Sequence, residues 1–324
     1  MIYKVAIVGV TGVVGRKVLK VLEERNLTEH DFVFYASKRS AGRKIVFDGK
    51  RVKIKELNRN IFDEEFDYAL FCTKEDISKN YVKVLADAGT KVIDFSSFYR
   101  KKYPLIVPEI NADDTKGNLI CNPNCSTIGA VMALYEIHKK FGLKRIVVST
   151  YQAVSGAGKA ALDDLYKRRE KGLKSFAFPI FNNLICYIGD IAKNGYSKEE
   201  NKMIYETKKI LGDDDIKVTA TCVRVPIDIC HSESINFETR KKCSERQVVE
   251  VLKMTKGVVY QNDFPRFPMP IDVRGKDEVF VGRVRKDFGQ ENTFNMFIVS
   301  DNLKKGAAQN GVQILQMLME RDEK

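Results

Sequence analysis

Val5-Ala6-Ile7-Val8-Gly9-Val10-Thr11-Gly12-Val13-Val14-Gly15 is the stretch that decides the fold of the first half of the chain. Its first four residues form a continuous apolar run, as in a strand buried inside a parallel sheet. Three glycines follow at the spacing GxxGxxG, and an amphipathic helix then begins. Glycines let backbone N–H groups approach a pyrophosphate, and a helix N-terminus attracts anions. The stretch therefore predicts a Rossmann-type dinucleotide-binding turn, although a plain tight turn between a core strand and a helix would have the same pattern.

A second strand is predicted at Phe32-Val33-Phe34-Tyr35. It ends about 20 residues after the glycine turn, where NAD-binding proteins place an acid for the ribose hydroxyl. The chain instead has Ser37-Lys38-Arg39-Ser40 at this point. Hydroxyls and a guanidinium suit a 2′-phosphate, so the sequence favours NADP over NAD. The alternative is an exposed basic loop without a ligand.

The α/β pattern continues with strand-like runs at 68–72 and 92–95 and a helix-like stretch at 78–88 between them. A basic segment at 44–60 has partly alternating apolar residues and predicts a hairpin. Arg100 follows the 92–95 run, beyond the carboxyl end of a parallel strand, where such sheets bind ligands. Arg100 is therefore a candidate for anion binding, although most arginines are simply exposed.

A cysteine lies at the start of a predicted helix in Asn122-Pro123-Asn124-Cys125-Ser126-Thr127. A strand-like run at 119–121 precedes it, and residues 128–135 have apolar side chains at i, i+3, i+4 and i+7. A helix N-terminus favours a thiolate, which is the nucleophilic form of cysteine. Cys125 is therefore a candidate nucleophile. The alternative is a small buried apolar residue, as most unpaired cysteines are.

The second half of the chain has a different pattern, in which strands dominate. A strand at 145–152 ends at Gln152 and leads into a glycine-containing loop at 154–158. A charged helix with Lys167, Arg168 and Arg169 is predicted after this loop. Strand-like runs at 234–237, 279–285 and 293–299 predict an antiparallel sheet, and a last amphipathic helix is predicted at 304–319, where it could pack on the first domain.

His231 is the histidine of most interest, because it lies in apolar, strand-like sequence while His30 and His138 have polar surroundings. Arg224 precedes it by seven residues, which in a straight strand would put the two side chains on opposite faces. A turn near residues 227–228 would instead bring them opposite one another. His231 is a candidate acid/base, and the alternative is a histidine of the hydrophobic core.

Composition limits the classes of function. The net charge of +12 arises from 55 Lys and Arg against 43 Asp and Glu, spread along the chain without the clustering of a nucleic-acid-binding module. Seven cysteines without a CxxC pair favour reduced thiols over a disulfide framework or a zinc site. No apolar run approaches the roughly 20 residues of a membrane span. The expectation is a cytoplasmic protein without a metal or a membrane partner.

Four ordered motifs together resemble the aspartate-semialdehyde dehydrogenase family: the glycine turn, NPNCST with Cys125, YQAVSGAG with Gln152, and Arg224 followed by His231. The resemblance extends over nearly the whole chain, including 275–283 and 300–310. Members of this family reduce β-aspartyl phosphate with NADPH to aspartate β-semialdehyde and phosphate, in the pathway to lysine, threonine and methionine. The resemblance thus implies an NADP-dependent enzyme, and a homodimer or homotetramer.

The resemblance also implies roles for individual residues. Cys125 would attack the acyl phosphate to leave a thioester, His231 would be the acid/base, and Gln152 would orient the substrate or the acyl intermediate. The substrate would be bound by Arg224 at its α-carboxylate, by Glu206 at its amino group, and by Arg100 and Lys209 at its phosphate. From the sequence alone, Glu206 and Lys209 form an i, i+3 pair on a helix at 197–211, which is usually a surface ion pair.

For the cofactor, the resemblance implies three groups of contacts. These are Gly9, Thr11, Gly12, Val13 and Val14 at the pyrophosphate, Ser37, Arg39 and Ser40 at the adenosine phosphate, and Ser155, Gly156 and Asn310 near the nicotinamide half. The implied fold is α/β: a Rossmann-type NADP-binding domain at 1–126 that includes a C-terminal helix at 303–324, and an α+β catalytic and dimerisation domain at 127–302 with a mixed, largely antiparallel sheet.

Three alternatives compete with this interpretation. N-acetyl-glutamyl-phosphate reductase shares the fold and the acyl-phosphate chemistry, but that family typically has a glycine directly before its cysteine, where this chain has Asn124. A non-catalytic NADP-binding relative would not be expected to keep Cys125, Gln152, Arg224 and His231 together. A basic nucleic-acid-binding module would need clustered charge. Two departures from the family pattern are Phe95, in place of a small polar residue, and the loop 73–76, in place of a glycine-rich one.

Overall fold

The computed structural model describes residues 1–168 and 171–323, which fold as two compact units. One unit is Met1–Pro123 with Ala307–Lys324, and the other is Asn124–Gly306. The chain therefore passes between the units at 123/124 and 306/307, where the sequence predicted boundaries at 126/127 and 302/303. Arg169 and Lys324, which belong to a predicted helix and to a predicted domain segment, lie outside the described residues.

The elements of both units can be given in chain order. They are β1 (Lys4–Val8), α1 (Val13–Glu24), β2 (Asp31–Ala36), β3 (Lys44–Phe47), β4 (Lys50–Lys53), β5 (Lys55–Glu56), β6 (Tyr68–Phe71), α2 (Glu75–Asp87), β7 (Lys91–Asp94), α3 (Pro108–Asn111), β8 (Leu119–Cys121), α4 (Cys125–Phe141), β9 (Leu143–Gln152), α5 (Lys159–Asp164), α6 (Lys198–Leu211), β10 (Lys217–Arg224), β11 (His231–Thr239), α7 (Glu245–Met254), β12 (Val258–Tyr260), α8 (Pro270–Val273), β13 (Val279–Lys286), β14 (Thr293–Ser300) and α9 (Gln309–Asp322).

The N-terminal unit is a Rossmann-type domain, as predicted. Its sheet has the strand order β5-β2-β1-β6-β7-β8, and each neighbouring pair is parallel. The chain order reverses at β1, with β2 on one side and β6 on the other, so the crevice that binds ligands in such sheets opens beyond the carboxyl end of β1. The glycine turn lies there. The predicted hairpin is also present, as the antiparallel pair β3 and β4.

Helix α9 belongs to this N-terminal unit and explains one departure from the family pattern. The side chains of Val312 and Leu315 are buried in the same hydrophobic cluster as β1 and α1, with Phe95 packed against the cluster. A methyl group on Gly311 would lie 2.1 Å from Cζ of Phe95. The glycine on α9 therefore makes room for the large side chain at position 95. The helix predicted from residue 304 differs in its first turn, because Lys304–Ala308 is π-helical and the α-helix starts at Gln309.

The C-terminal unit is α+β. Its sheet has the order β10-β9-β11-β14-β13-β12, with parallel pairs at both ends and antiparallel pairs in the middle. This confirms the predicted mixed, largely antiparallel sheet. Helix α4 packs against this sheet and is buried on nearly all sides, which explains its mostly apolar sequence.

The segment after β9 differs from the prediction of a charged helix. Helix α5 ends at Asp164, and Lys167 and Arg168 lie outside it. The carboxylate of Asp164 is fully buried and accepts hydrogen bonds from the backbone N–H groups of Lys174 and Ser175. The chain therefore folds back over this carboxylate instead of continuing as a helix. Among the described residues, no helix has both the length and the apolar character needed to cross a membrane.

Candidate active site

Cys125 is the first residue of α4, and the asparagine before it starts the helix. Asn124 is the N-cap, with an extended backbone, and its Oδ1 accepts the N–H groups of Ser126 at 3.0 Å and Thr127 at 3.4 Å. Because Cys125 is the first of the 17 residues of the helix, the positive end of the helix dipole lies at this residue. The predicted position of Cys125 at the start of a helix is confirmed, and a helix N-terminus in general favours a thiolate.

His231, the first residue of β11, faces this sulfur. Its Nε2 lies 3.1 Å from Sγ of Cys125, and its side chain is 1% exposed. Its Nδ1 accepts the backbone N–H of Ala153 at 3.0 Å, so a neutral ring has its proton on Nε2, directed at the sulfur. Burial and the charge of Arg224 lower the pKa of His231 to about 3, so the imidazole is neutral near pH 7.

Arg224 is the last residue of β10, and its buried side chain lies in the same site. Its Nη1 donates to the carbonyl oxygen of Ala153 at 2.7 Å. The backbone of Ala153 therefore binds both side chains, the guanidinium through its carbonyl oxygen and the imidazole through its N–H. Burial lowers the pKa of Arg224, while the negative charges of Glu199 and Cys125 act in the opposite direction. The result is a buried positive charge near Cys125, suited to a carboxylate.

The turn predicted between Arg224 and His231 is confirmed. Arg224 pairs with Gln152 at the end of the parallel pair β9–β10, and Ser232 pairs with Tyr151 in the antiparallel pair β9–β11. The two strands therefore flank β9, and the turn between them returns the chain to the same end of the sheet. This brings Gln152, Arg224 and His231 together.

Gln152 connects α4 with a carboxylate that was not among the residues predicted from the sequence. The fully buried amide donates to Oγ of Ser126 and lies 3.5 Å from Oε1 of Glu199. The same Oε1 accepts a hydrogen bond from the side chain of Asn124 at 2.7 Å. Desolvation raises the pKa of Glu199, but the charge of Lys202 and the Asn124 hydrogen bond outweigh it and lower the pKa to about 2. Glu199 is therefore a carboxylate at the edge of the cysteine site.

Helix α6 presents two Glu/Lys pairs with the same i, i+3 spacing, of which the family resemblance selected only one. Glu199 and Lys202 lie three residues apart on one face of the helix and form an ion pair, with Nζ of Lys202 3.2 Å from Oε2 of Glu199. Glu206, from the pair selected by resemblance, is fully buried and accepts the backbone N–H of Asn124 at 2.7 Å. Lys209 is half-buried near the end of α6, about 10 Å along the axis from Lys202.

Ser155 and Gly156 follow Ala153 in a short 3₁₀ turn, Val154–Ala157. A methyl group on Gly156 would lie 3.2 Å from Nη1 of Arg224 and 3.5 Å from Nε2 of His231. Gly156 therefore keeps open the space between the guanidinium and the imidazole. Ser155 is buried, and its Oγ accepts from Nδ2 of Asn302 at 3.0 Å.

The glycine turn lies in the N-terminal unit and fits a dinucleotide. Gly9 has φ +89°, and a methyl group on it would lie 2.4 Å from the carbonyl oxygen of Cys72. Thr11 and Gly12 follow, and the backbone N–H of Gly12 donates to the carbonyl oxygen of Gly9 at 3.0 Å. Helix α1 begins at Val13, so the N–H groups of Val13 and Val14 belong to its first turn and point out of its N-terminus. Such a cradle accepts an anionic group in close contact with the backbone.

The loop after β2 is the second part of the candidate cofactor site. Ser37 and Arg39 are exposed, while Ser40 is buried and donates its backbone N–H to the carbonyl oxygen of Ser37 at 2.8 Å. The turn therefore presents a hydroxyl and a guanidinium at the carboxyl end of β2, with no acid at 37–40. This composition fits a phosphorylated ribose better than a free diol.

Two further residues selected by resemblance also lie in the N-terminal unit. Arg100 follows β7 and is buried, with Nη2 donating to the carbonyl oxygen of Phe95 at 2.8 Å. Asn310 is fully buried in α9, and its Nδ2 donates to Asn122 Oδ1 and to the Ile106 carbonyl oxygen, both at 2.9 Å. These bonds tie α9 to the loops beside β8. Among the described residues, no group of His, Cys, Asp and Glu could hold a metal ion.

Comparison with known proteins gives consistent matches in both units. Residues 4–118 match the family model "Semialdehyde dehydrogenase, NAD binding domain", and residues 134–305 match "Semialdehyde dehydrogenase, dimerisation domain". The aspartate-semialdehyde dehydrogenase of Aquifex aeolicus is 48% identical over 98% of both chains. That of Bacillus subtilis is 43% identical over 97% of this chain and 96% of the other.

Solved structures agree with the sequence matches. The structure of aspartate semialdehyde dehydrogenase II complexed with ASA from Vibrio cholerae has a TM-score of 0.93, with 39% identity over 99% of both chains. The NADP complex of the Candida albicans enzyme has a TM-score of 0.77, with 25% identity over 98% of this chain and 99% of the other. Because relatives at 43% and 48% identity match almost end to end and both family models apply, this chain belongs to the aspartate-semialdehyde dehydrogenase family of enzymes.

Proposed function

We propose that the protein reduces L-aspartyl-4-phosphate to L-aspartate-4-semialdehyde with NADPH, through a thioester on Cys125, in the pathway to lysine, threonine and methionine. One observation carries this proposal: the 3.1 Å contact between Sγ of Cys125 and Nε2 of His231, at a helix N-terminus and beside Arg224. A nucleophile, a proton-bearing ring and a carboxylate-binding cation are the groups that this reaction needs.

The first step is attack on the acyl phosphate. The thiolate of Cys125 forms a bond to the acyl carbon, the bond from that carbon to the phosphate oxygen breaks, and inorganic phosphate leaves. The helix N-terminus and the Nε2 proton of His231 stabilise the thiolate before attack. The product is an aspartyl thioester on Cys125.

His231 holds one proton on Nε2 and donates it as a hydrogen bond to whichever atom of the reacting pair bears negative charge. That atom is the sulfur in the resting enzyme and the substrate oxygen once the carbonyl is attacked. Protonation of Nδ1 would place two donors face to face, because Ala153 already directs its N–H at this nitrogen. His231 therefore acts through Nε2 as a neutral imidazole.

Recognition of the substrate relies on charge. Arg224 binds the α-carboxylate, for which a planar guanidinium is suited. For the amino group we favour Glu199, with Lys202 nearby for the phosphate, because Glu199 contacts Gln152 in addition to the Asn124 contact that it shares with Glu206. Glu206 and Lys209 are the alternative pair, and Arg100 is a further candidate for the phosphate.

For the cofactor we propose NADP(H), which when bound supplies the hydride that reduces the thioester to the aldehyde. Gly9, Thr11, Gly12, Val13 and Val14 would hold its pyrophosphate, and Ser37, Arg39 and Ser40 its 2′-phosphate. The absence of an acid at residues 37–40 supports this choice, as does the NADP named with the Candida albicans structure. Ser155, Gly156 and Asn310 are proposed for the nicotinamide half.

The N-terminal unit is then the NADP-binding domain, and the C-terminal unit is the catalytic and dimerisation domain. A homodimer is the proposed assembly and a homotetramer the alternative. The dimerisation-domain match supports self-association, and so do exposed apolar side chains of that unit, such as Tyr166 and Leu184. A cytoplasmic location remains the expectation from the cysteine pattern.

The test compares two acyl phosphates under identical conditions. NADPH oxidation is followed with synthetic L-aspartyl-4-phosphate and with N-acetyl-glutamyl phosphate. The proposal predicts rapid oxidation with the first and at least about 100-fold lower kcat/KM with the second, because only the first offers an amino group and carboxylate at the right distance. Preference for N-acetyl-glutamyl phosphate would assign the protein to the competing reaction, and oxidation with neither would remove the proposal.

A further inference from the structure

The residue directly before His231 has an unusual backbone conformation. Cys230 is fully buried and has φ +79°, in the left-handed region that residues other than glycine rarely adopt. Such a conformation persists only where the surroundings hold it. If Cys230 relaxed to negative φ, the backbone entering β11 would rotate, and the imidazole would leave its position against Cys125.

The side chain of Asn302 is hydrogen-bonded to this backbone. It is 2% exposed, and its Oδ1 accepts the backbone N–H of Cys230 at 2.9 Å. Asn302 is itself held by the turn after β14, in which Oδ1 of Asp301 accepts the N–H groups of Leu303 and Lys304 at 2.9 and 3.0 Å. The side-chain oxygen of Asn302 is therefore held in place as the acceptor for the backbone N–H of Cys230.

The same amide also contacts the segment that orients the imidazole ring. Nδ2 of Asn302 donates to Oγ of Ser155 at 3.0 Å. Two residues earlier, Ala153 directs its N–H at Nδ1 of His231. One buried side chain thus connects the backbone before His231 with the turn that holds its ring.

We propose that Asn302 is a positioning residue, which keeps Cys230 in the left-handed conformation and so keeps Nε2 of His231 against Cys125. The proposal rests on the proposed function in that it gives His231 a part in the reaction. An amide suits position 302 because it offers an acceptor to Cys230 and a donor to Ser155 at once. Loss of the acceptor removes the hydrogen bond from the buried N–H of Cys230 and with it the restraint on φ.

The experiment measures the reactivity of the Cys125 thiolate in the resting protein, without substrate. Iodoacetamide labelling of the Cys125 peptide is followed by mass spectrometry across pH. In Asn302→Ala the labelling rate at pH 7 should fall about tenfold, the change that one unit in thiol pKa produces, and the profile should move to higher pH. An unchanged rate and profile in a folded Asn302→Ala protein would overturn the proposal.

A double-variant cycle separates positioning from general loosening. Glycine adopts positive φ about as readily as negative φ, so Cys230→Gly should restore most of the labelling rate in the Asn302→Ala background. Additive effects of the two substitutions would contradict the proposal. Asn302→Ser, whose side chain is too short to reach Cys230 in the same way, should show the same loss and replaces the alanine variant if that protein does not fold.

The matched control is Asn295→Ala. Asn295 lies on β14, the strand that leads to Asn302, but its side chain accepts a hydrogen bond from Asn236 at 2.9 Å. The substitution removes a hydrogen-bonded asparagine side chain from the strand that leads to Asn302 and should leave the labelling profile unchanged. A loss equal to that of Asn302→Ala would show a general effect of loosening β14 and contradict the proposal. Turnover of aspartyl phosphate by the wild-type protein is measured separately, so failure of the proposed function and failure of this positioning role give different results.

Discussion

The glycine turn of the N-terminal unit and the cysteine site of the C-terminal unit are built in different ways. The turn is local, because the consecutive residues Gly9 to Val14 connect one strand to one helix. Its shape requires a glycine at position 9, where a side chain would collide with neighbouring backbone. The cysteine site is assembled from four separate elements, with Cys125, Gln152, Arg224 and His231 at their ends. A local site depends on backbone conformation, whereas an assembled site depends on register and on the contacts that hold it.

The largest effect is expected at the assembled site. Cys125→Ala removes the only atom that can carry the acyl group in the proposed reaction, so kcat/KM for aspartyl phosphate should fall by at least about 10⁴-fold. NADPH binding, measured by fluorescence titration, should be unchanged. Cys186→Ala, at an exposed cysteine of the same unit, is the control and should keep full activity. Substantial turnover by Cys125→Ala would exclude the proposed nucleophile.

His231→Ala should lower kcat by about 10²- to 10⁴-fold, because the sulfur and the substrate oxygen lose their proton donor. The wild-type pH–rate profile is the accompanying measurement. Since the pKa of His231 is lowered to about 3 from 6.5, its proton uptake should produce no limb near pH 6.5. Between those two values the unfolded chain binds a proton that the native ring does not, so the free energy of unfolding should fall as pH falls through this range. A limb near pH 6.5 that disappears in His231→Ala would contradict the neutral imidazole.

Gly9→Ala should damage the local site and leave the assembled one intact. A methyl group there would lie 2.4 Å from the Cys72 carbonyl oxygen, at a backbone φ of +89°. The turn must shift, and NADPH affinity should fall about 100-fold, equivalent to about 2.7 kcal/mol. Iodoacetamide labelling of Cys125 should remain at the wild-type rate. Gly49→Ala is the matched control, with φ +70° but open space around the added methyl group, and its NADPH affinity should be unchanged.

The register of helix α6 can be tested by a pair of substitutions. Lys202→Met should raise KM for aspartyl phosphate by about 10- to 100-fold, since a charge-assisted hydrogen bond to an anion is lost. Lys209→Met, with the same chemical change two turns further along the helix, should have a smaller effect. The reverse order would favour the pair Glu206 and Lys209 chosen by family resemblance.

The smallest effect is expected at the exposed loop after β2. Arg39→Ala should reduce the preference for NADPH over NADH about tenfold, because an exposed guanidinium on a phosphate is partly screened by salt. The ratio of kcat/KM for the two cofactors is the measurement. Lys50→Ala, at an exposed cation of the β3–β4 hairpin, should leave that ratio unchanged. No change in Arg39→Ala would remove the assignment of this loop to the 2′-phosphate.

The same contrast explains how much could be predicted from the sequence. The glycine turn, the strands β1 and β2 and the start of α4 have signals within a few consecutive residues, and the fold confirms them. The separate apolar runs predicted an antiparallel sheet, and the mixed, largely antiparallel sheet was expected from the family resemblance. The proximity of Cys125 and His231 depends on pairing between distant strands, and it was expected only through family resemblance.

Three features had no sufficient local signal. The two Glu/Lys pairs of α6 have identical spacing, and both carboxylates accept hydrogen bonds from Asn124, so it is the additional contact of Glu199 with Gln152 that distinguishes it. The role of Phe95 became clear only with Gly311, which lies far away in the chain. The end of α5 at Asp164 depends on backbone N–H groups of a later segment, which no local pattern at 159–168 reports.

The central claim is that Cys125 carries the acyl group. The direct measurement is to mix the protein with L-aspartyl-4-phosphate in the absence of NADPH, stop the reaction with acid, and analyse the peptides by mass spectrometry. We expect one aspartyl group on the Cys125 peptide, formed together with released phosphate and absent in Cys125→Ala. Phosphate release without an acyl group on that peptide, or an acyl group on a different cysteine, would contradict it.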